Sequence, residues 1–271
     1  MMNHKITFLI GLMLVTAATA GDHEAKYRQV LQDSLQHYAA LVAKHPENDT
    51  LLMKQGDIHF RLEQYDRAIA DFTRAIKVNL QNDAAYYYRA ICHKQQGNFS
   101  EAVSDLKMAL AIYPDDGSYY TELGNLYLGQ GMHKKALENL HRAVQKDPDS
   151  GMPHLLRGTC YYLLKLYNKA IPDFSRAVSL GHDREKAYLL RGNCYKELER
   201  TDKAIADYTR VIKINPKNFR AYYYRGLILV TKGKKQAGVR DLNVFLKFQA
   251  NNPSAEEVRK LIREHGFKPQ Y

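Results

Sequence analysis

Residues 185–218 read EKAYLLRGNCYKELERTDKAIADYTRVIKINPKN, and this unit of 34 residues recurs along most of the chain. One small residue, Gly192, lies in its first half, and a second, Ala204, lies twelve residues later. The first series is Gly56, Ala90, Gly124, Gly158, Gly192 and Gly226, and the second is Ala68, Ala102, Ala136, Ala170, Ala204 and Gly238. Self-similarity at a fixed period of this length is typical of repeat architectures.

Each unit predicts two helices, A and B, joined by a short turn, because apolar residues recur at helical spacing in both halves. In four units the turn before helix B carries a side chain that can accept hydrogen bonds from the first helical turn. These residues are Asp66, Ser100, Asn168 and Asp202. Helix B is expected to end just before a proline in three units, since proline disfavours helical conformation in the preceding residue. These prolines are Pro114, Pro148 and Pro216.

The small residues predict close packing of helix A on helix B. A glycine inside a helix costs about 1 kcal/mol relative to alanine, so five glycines at one equivalent site require a compensating contact. Enlarging Ala170 or Ala204 is expected to overpack that contact at a cost of roughly 1 to 3 kcal/mol.

The unit resembles the tetratricopeptide repeat. The resemblance lies in the two small residues, in the proline, and in aromatic positions around the glycine, which are Tyr86, Tyr120, Tyr127, Tyr161, Tyr188, Tyr195 and Tyr222. It covers six tandem units, 49–82, 83–116, 117–150, 151–184, 185–218 and 219–252. The departures are Ala90 for glycine, Gly238 for alanine, and Leu80 and His182 for proline. Pro172 lies inside the fourth helix B, which we expect to be among the less stable helices.

The resemblance implies an all-α fold, a right-handed superhelical solenoid of six tandem two-helix hairpins in which helix A of each hairpin lines a concave groove. Each hairpin contacts mainly its neighbours, so the terminal hairpins need polar covers. Residues 21–48 predict an N-terminal covering helix with a degenerate half repeat, and residues 253–271 predict a C-terminal capping helix and tail.

Four units carry an arginine directly before the first small residue and an aspartate sixteen residues later. The pairs are Arg89 with Asp105, Arg157 with Asp173, Arg191 with Asp207, and Arg225 with Asp241. In the third unit both charges are absent, because Leu123 and Asn139 occupy the two positions. The first unit follows the pattern less well, because it has the aspartate, Asp71, but a glutamine, Gln55, in place of the arginine. Because the arginine and the aspartate are present together in four units and absent together in the third, we expect an ion pair between helices A and B and not an active site.

The three cysteines, Cys92, Cys160 and Cys194, each follow the first small residue by two positions. The other units have aliphatic residues there, Ile58, Leu126 and Ile228. Equivalent sites on stacked hairpins lie roughly 8 to 10 Å apart, which exceeds the limit of about 7 Å between the Cα atoms of a disulfide. The pattern predicts buried free thiols.

The motifs exclude the common catalytic classes. The histidines lack metal-ligand spacing, and the sequence contains neither a glycine-rich phosphate loop nor a nucleophile elbow. We therefore expect a chain that is not an enzyme, with no metal and no cofactor.

The resemblance implies that helix A side chains bind a peptide or a helix of a partner protein. The groove positions carried over unit by unit include Tyr87, Ile91, Lys94, Asn125, Leu128, Thr159, Tyr162, Asn193, Lys196, Tyr223 and Leu227. The asparagine amides could hold a peptide backbone while the tyrosines supply contact area. Alternatively, some of these side chains pack against a neighbouring hairpin or a covering helix.

Charge adds a second candidate surface, because residues 203–247 contain eleven Lys or Arg and two Asp. Such a region could attract an anionic partner, or it could be an ordinary solvated face. Export, inferred from the amino terminus, disfavours nucleic acid as that partner.

The amino terminus resembles a secretory signal peptide. Lys5 precedes the apolar run Ile6–Val15, and small residues end at Ala20. The apolar run is about half of the roughly twenty residues that span a bilayer. We expect cleavage of residues 1–20, export to the periplasm or the medium, and no membrane span after cleavage.

These features favour a periplasmic adaptor or assembly factor that binds a peptide or helix of another protein. The alternatives are a self-associating scaffold, which would form homo-oligomers, a regulatory subunit of an enzyme, and a lumenal co-chaperone of a eukaryotic secretory pathway. Asn48-Asp49-Thr50 and Asn98-Phe99-Ser100 are candidate glycosylation sites for the last of these.

Overall fold

A computed structural model describes residues 20–271, and its regular elements in that range are all helices. They are α1 (Ala20–Lys44), α2 (Asp49–Arg61), α3 (Tyr65–Val78), α4 (Asp83–Gln95), α5 (Phe99–Ile112), α6 (Gly117–Gly129), α7 (His133–Lys146), α8 (Gly151–Leu163), α9 (Tyr167–Ser179), α10 (Arg184–Glu197), α11 (Thr201–Ile214), α12 (Phe219–Thr231), α13 (Lys235–Phe248) and α14 (Ala255–Glu264). Residues 1–19 of the expected signal peptide lie outside the described residues.

Helices α2 to α13 are the A and B helices of six hairpins, which confirms the all-α helical-repeat fold. Five of the A helices begin on the first residue of a predicted unit, and α10 begins one residue earlier, at Arg184. The B helices α5, α7 and α11 each end two residues before a proline, as the sequence predicts. In the part of the chain that the structure describes, no helix has both the length and the apolar character needed to span a bilayer.

The helices group into two compact units, one that ends at Asp105 and one that comprises Leu106–Tyr271. In the first unit α1 packs on α2, α2 on α3, and α3 on α4. In the second unit each helix from α6 to α13 packs on the next, and α13 packs on α14. Within this second unit the A helices α6, α8 and α10 also adjoin one another.

The predicted close packing of helix A on helix B is present. A Cβ added at Gly192 would lie 2.9 Å from Cε1 of Tyr208, and one added at Gly124 would lie 2.6 Å from Cγ of Leu140. Ala170 and Ala204 are fully buried. The small residues are therefore required because a larger side chain would push apart the two helices of a hairpin.

The A–B turns share a left-handed residue that the sequence reasoning did not use. It is glycine in three hairpins, Gly97, Gly131 and Gly233, with φ of 78°, 71° and 77°. In the other three it is Glu63, Lys165 and Glu199, with φ of 60°, 58° and 54°. Only glycine adopts this conformation without steric cost, so three of the turns carry local strain.

The prediction of capping residues for helix B is wrong by two positions. Helix α3 begins at Tyr65, so Asp66 lies inside the first turn, and the N-cap Gln64 makes no side-chain capping bond. Asn168 and Asp202 are placed in the same way in α9 and α11, and Ser100 lies inside α5.

Three of these side chains, those of Asp66, Asn168 and Asp202, bind the next hairpin instead. Asp66 accepts a hydrogen bond from Gln96 Nε2 at 2.8 Å, and Asn168 accepts one from Arg200 Nη2 at 3.2 Å. Lys232 Nζ donates to Asp202 at 2.6 Å. The true side-chain caps are on A helices, and they are Asn48, Asn82, Asp116, Asp183 and Asn218.

At the carboxyl end, α14 covers the apolar side of α13. Val258 and Ile262 are buried in one cluster with Leu242, Phe245 and Leu246, while Glu256, Glu257 and Lys260 of α14 are exposed. A helix with one apolar and one charged face is what the last hairpin of a stack requires.

Two glycines of α6 provide a matched test of the A–B contact. Gly124→Ala should lower the free energy of unfolding by about 1 to 3 kcal/mol, because its Cβ would collide with Leu140. Gly129→Ala should leave it unchanged or raise it by up to about 1 kcal/mol, since nothing lies within 4 Å of that added Cβ. Urea unfolding followed by circular dichroism measures both, and equal effects would contradict the close contact.

Candidate functional site

The predicted groove residues form one set, which we call the A face. All eleven lie on A helices, and all eleven are half-buried, neither fully enclosed nor fully exposed. In the first compact unit they are Tyr87, Ile91 and Lys94, on α4. In the second they are Asn125 and Leu128 on α6, Thr159 and Tyr162 on α8, Asn193 and Lys196 on α10, and Tyr223 and Leu227 on α12. Their side chains are thus anchored in the fold while part of each stays accessible.

In the first unit an aromatic group supports the A face. The ring of Tyr87 lies edge-on to Tyr88, with centroids 5.3 Å apart, and Tyr88 stacks on the buried ring of Phe72 at 5.8 Å. Burial raises the pKa of Tyr88 above its usual value, and the nearby Asp57 carboxylate adds to the shift. The orientation of Tyr87 is therefore fixed by contacts inside this unit.

The two asparagines of the A face differ in their bonding. Asn193 Oδ1 accepts a hydrogen bond of 2.8 Å from the hydroxyl of the buried Tyr208. The residue equivalent to Tyr208 beside Asn125 is Leu140, which has no hydroxyl to donate. The Asn125 amide has no hydrogen-bond partner among residues 20–271 and so keeps its full donor and acceptor capacity for a ligand.

A polar and aromatic cluster surrounds Lys196 in the second unit. The Lys196 ammonium lies 4.8 Å from the ring centroid of Tyr224 and 2.8 Å from Oε1 of Glu197. Burial raises the pKa of Tyr162, and the positive charge of Lys196 opposes that shift. Tyr224 and Glu197 were missed from the sequence because they do not occupy the groove positions of the repeat.

Two predicted residues are partly used for packing. Tyr223 and Leu227 lie against the carboxyl-terminal cluster, and the Tyr223 ring is 4.9 Å from that of Phe245. The alternative raised from the sequence, packing within the fold, therefore applies to these two residues. Thr159 also bonds its own helix, donating to the Leu155 carbonyl at 2.7 Å.

The four Arg–Asp pairs are confirmed as links between helices A and B of one hairpin. Each arginine donates two hydrogen bonds to its aspartate, all between 2.7 and 2.9 Å. The bond to Asp207 raises the pKa of the Arg191 guanidinium. Arg191 also donates to Ser175 of the preceding hairpin at 2.8 Å, so it joins three helices.

The first and third hairpins, which lack the Arg–Asp pair, have different contacts at the same positions. In the first, His59 Nδ1 lies 2.7 Å from Asp71 Oδ2, and both side chains are buried. In the third, Asn139 turns to its own helix and donates to the Lys135 carbonyl at 2.8 Å, while Leu123 is buried. The pair is accordingly structural.

The cysteine prediction is also confirmed, since Cys92, Cys160 and Cys194 are buried and free. Burial raises the pKa of Cys92 and of Cys194 to about 12. The reactive thiolate is therefore scarce near neutral pH. Among residues 20–271, no group of His, Cys, Asp and Glu side chains is arranged to hold a metal ion.

The basic region 203–247 is only partly neutralised. Arg210 and Arg225 bind Asp207 and Asp241 at 2.7 Å, and Lys232 binds Asp202, which lies just outside the region. The remaining lysines and arginines are exposed, namely Lys203, Lys213, Lys217, Arg220, Lys234, Lys235, Arg240 and Lys247.

Two family models match the chain, and both describe the tetratricopeptide repeat. One matches residues 23–70, 53–117 and 121–185, and the other matches residues 185–218. A comparison with curated protein sequences gave no match.

Solved structures of similar fold are tetratricopeptide repeat proteins among others. YrrB, described as a TPR protein with an unusual peptide-binding site, is 23% identical over 70% of this chain and 97% of its own, with a TM-score of 0.63. MamA is 27% identical over 59% of this chain and 94% of its own, with a TM-score of 0.57. The C-terminal part of a TPR repeat-containing protein from Cytophaga hutchinsonii is 17% identical over 88% of this chain and 97% of its own, with a TM-score of 0.69.

The third hairpin suggests a test of the Arg–Asp pairs. Asp207→Asn alone should lower the free energy of unfolding by about 3 to 5 kcal/mol, because it leaves the partly buried Arg191 without its counter-charge. The double variant Arg191→Leu with Asp207→Asn reproduces the residues of the third hairpin and should cost much less. Urea unfolding of both variants measures the difference, and a double variant as unstable as the single one would contradict this account.

Proposed function

Because the chain belongs to the tetratricopeptide repeat family, we propose that it is an exported adaptor or assembly factor that holds a peptide or helix of a partner protein on its A face. At the general level, this fold makes the chain a protein–protein interaction module of a family that is generally non-catalytic. Export, the adaptor role and the site of binding are the proposed part.

The observation that supports the proposal most directly is the partial burial of the A-face side chains. Its side chains are half-buried along successive A helices, so they are held in position yet accessible. Rigid, partly exposed tyrosines give a large contact area at a low cost in conformational entropy. Asn125 adds a free amide, which can bond the backbone of an extended segment or of a helix end.

A protein or peptide ligand fits this surface better than a small molecule does. In the second compact unit the A face offers separate contacts on α6, α8 and α10, which is how repeat proteins recognise extended partners. YrrB, a structure of similar fold, is described as having a peptide-binding site. This likeness supports the choice of ligand class.

Export rests on the amino-terminal sequence. Lys5, the apolar run Ile6–Val15 and the small residues up to Ala20 have the three-part order of a secretory signal. The buried free thiols are compatible with an oxidising compartment, because burial keeps them from pairing.

Site-specific photocrosslinking tests the A face. A photoreactive amino acid at Leu128 or Thr159, both on the A face of the second compact unit, should give one shared partner adduct in an envelope extract. The same group at Met108 or Lys213, which are exposed on B helices, should give none.

The crosslinked segment of the partner, identified by mass spectrometry, can then be synthesised as a peptide. This peptide should bind the Asn125→Ala variant about three- to tenfold more weakly than wild type, because the variant loses one hydrogen bond. Adducts only between copies of the chain would instead establish a self-associating scaffold and contradict the proposal.

The amino terminus of the protein recovered from the cell tests export. Residues 1–20 should be absent, so that Edman sequencing or mass spectrometry of the recovered chain begins at Gly21. Replacing Leu9 and Leu12 by lysine should keep the chain inside the cell, because it removes the apolar run that a signal requires. An intact terminus on protein found only inside the cell would contradict export.

A further inference from the structure

The A–B turns of the second compact unit form one surface, which we call the turn edge. It comprises residues 129–135, 163–169, 197–203 and 231–235. Successive turns lie side by side, since Arg200 bonds Asn168 at 3.2 Å and Lys232 bonds Asp202 at 2.6 Å. The Cys160 thiol, next to the second turn, reaches the carbonyl of His133 in the first at 3.5 Å.

The turn edge is strongly basic. It carries nine Lys or Arg and three acidic residues, and all nine cations are exposed. The cations are Lys134, Lys135, Lys165, Lys169, Arg200, Lys203, Lys232, Lys234 and Lys235. One of the acids, Asp202, is already paired with Lys232, which lowers its pKa.

The B–A junctions of the same unit have the opposite balance. Residues 112–117, 146–151, 180–185 and 214–219 contain three Lys or Arg and six acidic residues. Helices α6 to α13 run between the two sets of connections, so this unit is positive at one edge and negative at the other. Such a separation orients a protein on a charged surface.

Three of the turn-edge lysines form a regular row. Lys135, Lys169 and Lys203 occupy the same position in three successive hairpins. Each ammonium lies over the ring of a tyrosine in its own hairpin, Tyr127, Tyr161 and Tyr195, at 5.5, 5.9 and 5.7 Å from the centroid. These ring contacts favour a defined position for each ammonium group on the exposed surface.

Apolar side chains project from the middle of the turn edge. Leu163, Leu164 and Leu166 are 52%, 39% and 41% exposed, and Met132 of the adjoining turn is 45% exposed. The turn between the leucines bends sharply at Lys165, whose φ is +58°. The tip of this turn is thus apolar, and exposed lysines lie in the same turn and in the turns next to it.

We propose that the turn edge docks on the surface of an anionic lipid bilayer, with Leu163, Leu164 and Leu166 entering the headgroup region and the lysines contacting lipid phosphates. The strength of peripheral binding rises with the apolar area that enters the interface and with the electrostatic attraction of basic groups to anionic lipids, and the turn edge offers both. The composition disfavours a protein partner, because protein interfaces are depleted in lysine and their hot spots in leucine.

Vesicle co-sedimentation of the full chain tests this inference. The chain should bind phosphatidylcholine vesicles that contain about a third phosphatidylglycerol more tightly than phosphatidylcholine alone. The triple variant Lys135→Gln, Lys169→Gln, Lys203→Gln should lose roughly a hundredfold in partitioning, about fivefold for each lysine. Leu163→Gln with Leu164→Gln should lose about tenfold. All proteins carry the same amino terminus, so the differences report the turn edge.

Matched variants away from the edge are the controls. Lys186→Gln, Lys213→Gln, Lys247→Gln removes the same charge, and Ile214→Gln removes an apolar side chain that is 46% exposed at the opposite edge. Both should bind vesicles within about twofold of wild type. Equal losses in control and test variants, or equal binding to neutral and anionic vesicles, would overturn the inference. Unchanged circular dichroism of each variant excludes unfolding as the cause, and the inference stands or falls independently of peptide binding on the A face.

Discussion

The close contact between helix A and helix B of each hairpin is the constraint on which the rest of the structure depends. At Gly192 the space between them has no room for a Cβ, which would lie 2.9 Å from Tyr208, and the second small position, Ala204, is fully buried. Once the helices are that close, the side chains sixteen residues apart can meet, and Arg191 forms two bonds with Asp207. The same arginine reaches Ser175 of the preceding hairpin, so the contact within one hairpin also sets its register on the next.

A fixed repeat gives each hairpin position a constant place in the fold, and this separates the surfaces of the molecule by position in the repeat. Positions at the contact between helix A and helix B of one hairpin include the small residues and several aromatic residues, such as Gly192 and Tyr208. Half-buried positions on helix A form the A face, where the Asn125 amide has no hydrogen-bond partner among residues 20–271. Positions in the A–B turns form the turn edge of the second unit, where Lys135, Lys169 and Lys203 recur. Substitutions at one position can therefore change a surface without affecting the A–B contact.

The periodic features of the chain were predictable from the sequence, and the features peculiar to single hairpins were not. The period of 34 residues placed the helices, the Arg–Asp pairs and the buried cysteines, because each rests on a position that recurs. The side-chain caps of helix B were wrong, since Asp66 and Asp202 bind the following hairpin and only coordinates show that contact. The bond between Tyr208 and Asn193 was missed because it occurs in one of the described hairpins alone. The sequence did contain a clue, since Tyr208 has a hydroxyl group where the equivalent residues Phe174 and Leu140 have none.

The native cysteines offer the most direct measurement of the A–B contact, because Cys92, Cys160 and Cys194 lie in the interior of three different hairpins. Titration of the folded protein with Ellman's reagent near neutral pH should show no rapid reaction at any of them, and denaturant should release all three thiols. A thiol that reacts at once in the folded protein, or a disulfide between two of them, would show that the hairpins do not close as described.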